Sequence, residues 1–246
     1  MPTRHDLTVA SYNIHKGVGT DRRRDLMRTA AVIREIGADI LALQEADKRF
    51  GDRAGLLDLE HIRRDIGLIP VTEQGTTDAA HGWHGNLLLV RNALVQEVHH
   101  LELPGFEARG ALMADLVIKG QPLRVIAAHF GLLPGSRAAQ AQALLAKIGG
   151  LDNRPTLLMG DLNEWRQGGT AMGRLGQHFT ASPMVRSFPS RYPIWPLDRM
   201  MTCAQGALLD VATHDSVLSR KASDHLPIKA RLRLNEAIRA AAVGSS

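Results

Sequence analysis

The middle of the chain restricts the fold most. Four apolar or alternating segments, 86–90, 94–103, 111–118 and 123–128, follow one another there with only turn residues between them. Such runs pair as antiparallel hairpins. On either side of them, strand patterns alternate with single helical stripes. Residues 7–14 alternate, 25–36 set Leu26, Ala30, Ile33 and Ile36 near helical spacing, and 39–43 return to a strand. Leu56, Leu59, Ile62 and Ile66 predict a second helix, and 136–148 a third, entered through Pro134 and Gly135 and left through Gly149 and Gly150. Strands are expected at 156–160, 197–202, 208–213 and 227–234, with Asn235 capping a short terminal helix before a flexible 244–246 tail. Helices arriving singly among hairpins suit a layered α/β sandwich of mixed, largely antiparallel sheets better than a pure βαβ winding. The stretch 165–195, rich in Gly, Pro, Ser and Arg, predicts a long irregular loop over the active face.

At 246 residues the chain is long enough to bury one substantial core, and 1–246 is expected to form a single domain. An apolar fraction of 44% and a charged fraction of 22% exclude disordered and collagen-like classes. The net charge of +5 suits binders of anions, so nucleic acid and an anionic membrane surface are the candidate partners. Arg22, Arg23, Arg24, Arg63 and Arg64 fall in helix-like stretches, however, where a solvated polar face is the commoner reading. Aromatics make up only 4% of the chain, which disfavours a stacking platform for single strands and leaves duplexes or small diesters. Any membrane anchoring through 235–243 is expected to be weak, because the apolar side of that helix is mostly alanine. The sequence names no stable protein partner. Cys203 is the only cysteine, so an intrachain disulfide and a thiolate zinc cluster are both excluded. With no apolar leader at the start of the sequence, a cytoplasmic location is expected.

Polar residues at strand ends carry the chemistry. Gly160, Asp161, Leu162 and Asn163 end one apolar run, Gln44 and Glu45 end another, and Ser223, Asp224 and His225 precede a third. Such groups can gather at one edge of a sheet scaffold, and hard oxygen donors such as Asn13, Glu45 and Asp224 would hold Mg²⁺ or Mn²⁺ for phosphoryl transfer. Taken singly, each has a plainer reading: Glu45 as a surface carboxylate, Asp161 as a turn former, His129 as a packed strand-end histidine. Neighbouring side chains on an extended strand point to opposite faces, so Asp224 cannot orient His225. Asp198, an acid in an apolar strand context, is the better candidate, although an Asp198–Arg199 surface pair is the alternative. His81, His84, His99 and His100 lack convincing ligand spacing and are given no role. An acyl hydrolase built on Ser223 lacks the Gly-x-Ser-x-Gly elbow, and no phosphate-loop pattern is present.

The ordered set Tyr12-Asn13-Ile14, Gln44-Glu45, Ala128-His129, Gly160-Asp161-Leu162-Asn163, Leu197-Asp198-Arg199 and Ser223-Asp224-His225-Leu226-Pro227 resembles the endonuclease/exonuclease/phosphatase superfamily across about residues 7–234. The resemblance implies a four-layer α/β sandwich, two packed sheets flanked by helices, with the site at the strand ends. By position it implies Glu45 as principal metal ligand, supported by Asn13 and Asp224, and Asp161 with Asn163 orienting nucleophile and phosphate. It further implies His225, held by Asp198, as acid/base, with His129 beside the phosphate. His15 stands where abasic-site members of the superfamily carry an acid, which favours a single metal ion. The substrate expected is a phosphate ester, a nucleic-acid backbone first and a lipid or small phosphorylated metabolite as the alternative. A catalytically silent binding module is the remaining reading.

Overall fold

The computed structural model describes residues 6–48, 53–71, 81–181 and 183–234. The expected terminal helix at Asn235 and the 244–246 tail lie outside the described residues. The first sheet runs β11(Gly206–Thr213), β12(Ile228–Leu234), β1(Leu7–Asn13), β2(Ile40–Gln44), β4(Leu87–Val90), β3(Ile69–Pro70). The second runs β5(Ala93–Leu103), β6(Arg109–Ile118), β7(Gln121–His129), β8(Thr156–Asp161), β10(Asp198–Thr202), β9(Thr180–Ala181). Only β1 with β2 and β7 with β8 pair in parallel, each joined by a helical crossover; the other pairs are antiparallel.

Side-chain alternation builds the layers. Val9, Ile40, Ala42, Leu88 and Val90 face Leu112, Ala114, Leu116, Val125, Ala127, Leu157 and Met159 between the sheets. The residues between them point outward. Tyr12, Leu41, Leu43 and Leu89 pack under α1(Leu26–Ile36) and α2(Leu59–Ile66), while Met113, Ile126, Ala128 and Leu158 pack under α3(Pro134–Gly149) and α4(Thr170–Leu175). Four layers result, as the resemblance implied. Helix ends follow local chemistry: Asp25 and Asp58 accept from Arg28 N and His61 N as N-caps, and Gly37 and Gly67 close α1 and α2 in the left-handed region. No helix among the described residues is long and apolar enough to cross a membrane.

The segment 165–195 corrects the expectation of a wholly irregular loop. It contains α4 and β9, and a bridge between Phe188 and Trp195 closes its second half. At six and two residues these elements are too short to show periodicity.

Candidate active site

Strand direction brings the functional groups to one end. The C-terminal ends of β1, β2, β7 and β8 and the starts of β10 and β12 share it. A hydrogen bond from Asn13 Nδ2 to Asp161 Oδ2, 3.0 Å, ties the two sheets together there. Gly160 precedes Asp161 for a steric reason. Its φ is +154° and a Cβ would stand 1.8 Å from the Ala128 carbonyl oxygen, so no side chain fits as β8 closes on β7.

Asp161 lies at the centre. Its Oδ1 accepts from Asn163 N at 3.0 Å, and its Oδ2 is 3.5 Å from His129 Nε2 and 3.7 Å from His225 Nε2. Asn163 turns its own amide nitrogen onto the Phe130 carbonyl, 2.9 Å away. Asp198 Oδ2 accepts from Ser187 Oγ and lies 2.8 Å from His225 Nδ1, while Asp198 Oδ1 is buried without a partner. Burial alone would depress the pKa of His225, but Asp198 and Asp161 outweigh it and lift the imidazole to about 10. His129 goes the other way. Burial outweighs the pull of Asp161 and drops it to about 4, so at neutral pH it is uncharged, with Arg109 Nη1 2.9 Å from its ring nitrogens.

A second group lines the sheet formed by β1 and β2. Glu45 has φ +55°, as does Lys16, and His15 has φ +47°; this cluster of left-handed, non-glycine residues is the kind of local strain found at functional sites. Burial works against ionisation of Glu45, yet its neighbours outweigh burial and hold its carboxyl low; with His129 uncharged at neutral pH, Lys16, 3.1 Å from Oε2, supplies positive charge there. Asp224 is 38% exposed, with Oδ1 3.7 Å from His15 Nδ1. His225 Nδ1 is held by Asp198 instead, so the expectation that a more distant acid orients that histidine agrees with the geometry. Arg199, by contrast, forms no surface pair with Asp198; it is buried and donates to the Glu164 carbonyl, 2.8 Å away.

All eight expected residues therefore lie at one end of the sandwich. Others had no signal in the sequence. Arg109 reaches His129 from the start of β6, and Arg137 on α3 pairs with buried Glu164 at 3.0 Å, fixing the turn that carries Asn163. Lys16 and His15 sit in a short motif whose spacing alone assigned them nothing.

The charge balance bears on a metal. Glu45, Asp161, Asp198 and Asp224 supply four negative charges, and Lys16 with protonated His225 supplies two positive ones, leaving a surplus of two. A divalent cation cancels that surplus. Asn13, Glu45 and Asp224 are oxygen donors, which fits Mg²⁺ or Mn²⁺ better than a thiophilic ion. Asp161, Asp198 and His225 also form a close trio, with one candidate ligand atom from each lying within 4.8 Å of the others. There the imidazole is already committed to Asp198, which favours proton handling over ligation.

Comparison with known proteins agrees with this architecture. Residues 10–225 match the model of the Endonuclease/Exonuclease/phosphatase family. The chain is 29% identical over 245 residues to the uncharacterized protein YbhP of Escherichia coli, covering 92% of this chain and 96% of that one. An endonuclease/exonuclease/phosphatase from Beutenbergia cavernae shares the fold with a TM-score of 0.70 at 22% identity, over 94% of this chain and 72% of that one. So does D. rerio TDP2 complexed with a single-strand DNA product, with a TM-score of 0.69 at 16% identity, over 93% and 99% of the two chains.

Proposed function

Because the chain belongs to the endonuclease/exonuclease/phosphatase family, we propose that it is a divalent-metal-dependent phosphodiesterase that works by in-line attack of water. The observation that carries this reading is the continuous chain Asp198–His225–Asp161–Asn13, which joins an oriented imidazole to a central carboxylate and on to the oxygen-rich side of the site. A cation held by Asn13, Glu45 and Asp224 would neutralise phosphoryl oxygens and draw electron density from phosphorus.

The remaining work falls to the chain's own side chains. Asp161, fixed by Asn13 Nδ2 and Asn163 N, orients the attacking water and takes its proton as the new O–P bond forms. His225 carries a proton at neutral pH, whereas His129 does not, so His225 gives its Nε2 proton to the departing oxygen as the old P–O bond breaks. Asp198 holds the ring by Nδ1 and stabilises its charge. Neutral His129, backed by Arg109, faces the same carboxylate and stabilises phosphoryl oxygens by hydrogen bonding.

DNA or RNA backbone and lipid phosphodiester both satisfy this reaction centre. A panel of supercoiled plasmid, abasic duplex, RNA, a chromogenic diester and phospholipids, run with Mg²⁺, with Mn²⁺ and with chelator, tests the reading. Turnover on at least one substrate should vanish on chelation and fall by orders of magnitude in His225→Ala. Turnover indifferent to both would overturn the mechanism.

A further inference from the structure

The exposed large apolar side chains are not scattered. Among the described residues, all but Leu94, Ile69 and Met184 lie on the loops, or the adjoining first turn of α1, at the end of the sandwich that bears the site. Phe106 is 91% exposed, Val217 92%, Tyr192 78% and Leu132 63%, with Leu133 and Ile194 also about half exposed or more. They occupy four separate loops. Strand polarity sets all four at the same end, since they follow β5, β7 and β11 and precede β10.

These loops are tied to the reaction centre. Leu132 N donates to Glu107 Oε1 at 3.0 Å, Glu107 pairs with Arg109 at 2.8 Å, and Arg109 reaches His129. On the neighbouring loop after β8, Trp165 stands two residues after Asn163 and meets Trp195 edge-on at 5.0 Å. Trp195 N donates to the Phe188 carbonyl, and the Phe188 ring lies 4.8 Å from that of His225. Around this apolar rim sit exposed cations. Arg22, Arg23 and Arg24 carry no ion pair among the described residues, and Arg166 stacks over Trp165 at 4.7 Å.

We propose that this end of the molecule docks on the surface of an anionic phospholipid bilayer, with the rim in the interface and the phosphate site presented to the head groups. An apolar patch on several protruding loops is costly to leave in water and marks an interaction surface. Its composition identifies the partner. Tryptophan, tyrosine and arginine suit the head-group region, and Phe106, Leu132, Leu133, Ile194 and Val217 suit the acyl boundary beneath it. Unpaired arginines match negatively charged lipid. A single-stranded nucleic acid would use the tryptophans and arginines but has no use for leucine, isoleucine and valine tips, which offer no π-face for stacking. The docking goes beyond the reading of the reaction and needs no turnover.

Co-sedimentation in chelator tests it without involving catalysis, using equimolar phosphatidylcholine–phosphatidylglycerol vesicles beside pure phosphatidylcholine vesicles. The wild type should pellet with the anionic vesicles and release on adding salt, with a blue shift in tryptophan emission that a brominated lipid quenches. The double variant Phe106→Ser/Leu132→Ser, checked for an unchanged thermal midpoint, should partition at least about tenfold less. Leu94→Ser, at the opposite end, should partition like the wild type. The proposal is overturned if the wild type stays in the supernatant, if the double variant pellets equally, or if a single-stranded oligonucleotide is bound and the vesicles are not. Pelleting by a chain that cleaves nothing on the substrate panel would sink the hydrolase reading and leave the docking standing.

Discussion

Strand β7 carries a buried ionisable side chain at each end, and the surroundings of the two differ. Near its start, Arg124 is 1% exposed and holds Asp115, 2% exposed, by two hydrogen bonds of 2.7 and 2.8 Å, with Asp152 and Arg154 completing a cluster of two acids and two bases. At its other end, His129 faces Asp161 among four carboxylates that meet only two cations, and Asp198 keeps an oxygen without a partner. Buried charge that serves the fold is balanced within the chain. Where balance is left incomplete, as at the site end, the surplus points to a ligand that supplies the missing charge.

Removing one acid at each end separates the two roles most sharply. Asp198→Asn should lower kcat by between about a hundredfold and ten-thousandfold, since it removes the charge that holds the His225 tautomer, with a smaller stability loss than at Asp115 because it also relieves the surplus of carboxylates around it. Asp115→Ala should do the reverse. It leaves Arg124 buried and unpaired, costing about 3–5 kcal/mol of stability in denaturant titrations, with turnover per folded molecule kept. Equal stability losses at both ends would erase the distinction.

How far the sequence carried the site follows the same line. Glu45, Asp161, Asn163, Asp224 and His225 were legible because each sits in a short polar motif at the edge of an apolar run, where strand polarity alone delivers it to the rim. Asp198 was legible for its cost, an acid in an apolar strand that needs a partner. Arg109 and Glu164 were not, because their meaning depends on contacts that only folding creates; Arg109 meets a histidine twenty residues away, across the β6–β7 pair. The rim was not legible, because an aromatic fraction counts rings without placing them, and only folding brings Trp165 and Trp195 together beside the mouth. Helix, strand and layer order were readable throughout, except for elements such as β3, β9 and α4 that are too short to repeat a pattern.

Titration offers a milder test of the charge surplus. The folded pKa of His225, about 10, lies above the ordinary histidine value near 6.5. Its contribution to stability is therefore full below about pH 6.5 and is lost as pH rises through 10, since over that window the native state holds a proton that the unfolded chain has released. In chelator, the wild-type thermal midpoint should fall more steeply than that of His225→Ala over this range. Parallel curves would mean that the carboxylates around His225 do not act as a common field.

The smallest effect should come from Lys16, and it bears most directly on what fills the surplus. Its ammonium lies against Glu45, with both side chains about a quarter exposed, so it occupies the charge that a metal ion would otherwise meet. An incoming cation must displace that ammonium or share the carboxylate with it. Lys16→Gln removes the competing charge while keeping most of the side chain's length, so divalent-ion affinity measured by calorimetry should rise about two- to fivefold, the worth of a partly exposed ion pair. The same change at Arg154, paired with Asp115 in the balanced cluster at the far end, should leave that affinity unaltered. If Lys16→Gln weakens the binding of Mg²⁺ and Mn²⁺ alike, the lysine is a partner of the bound ion rather than its placeholder, and Glu45 does not receive the metal from the side on which Lys16 now stands.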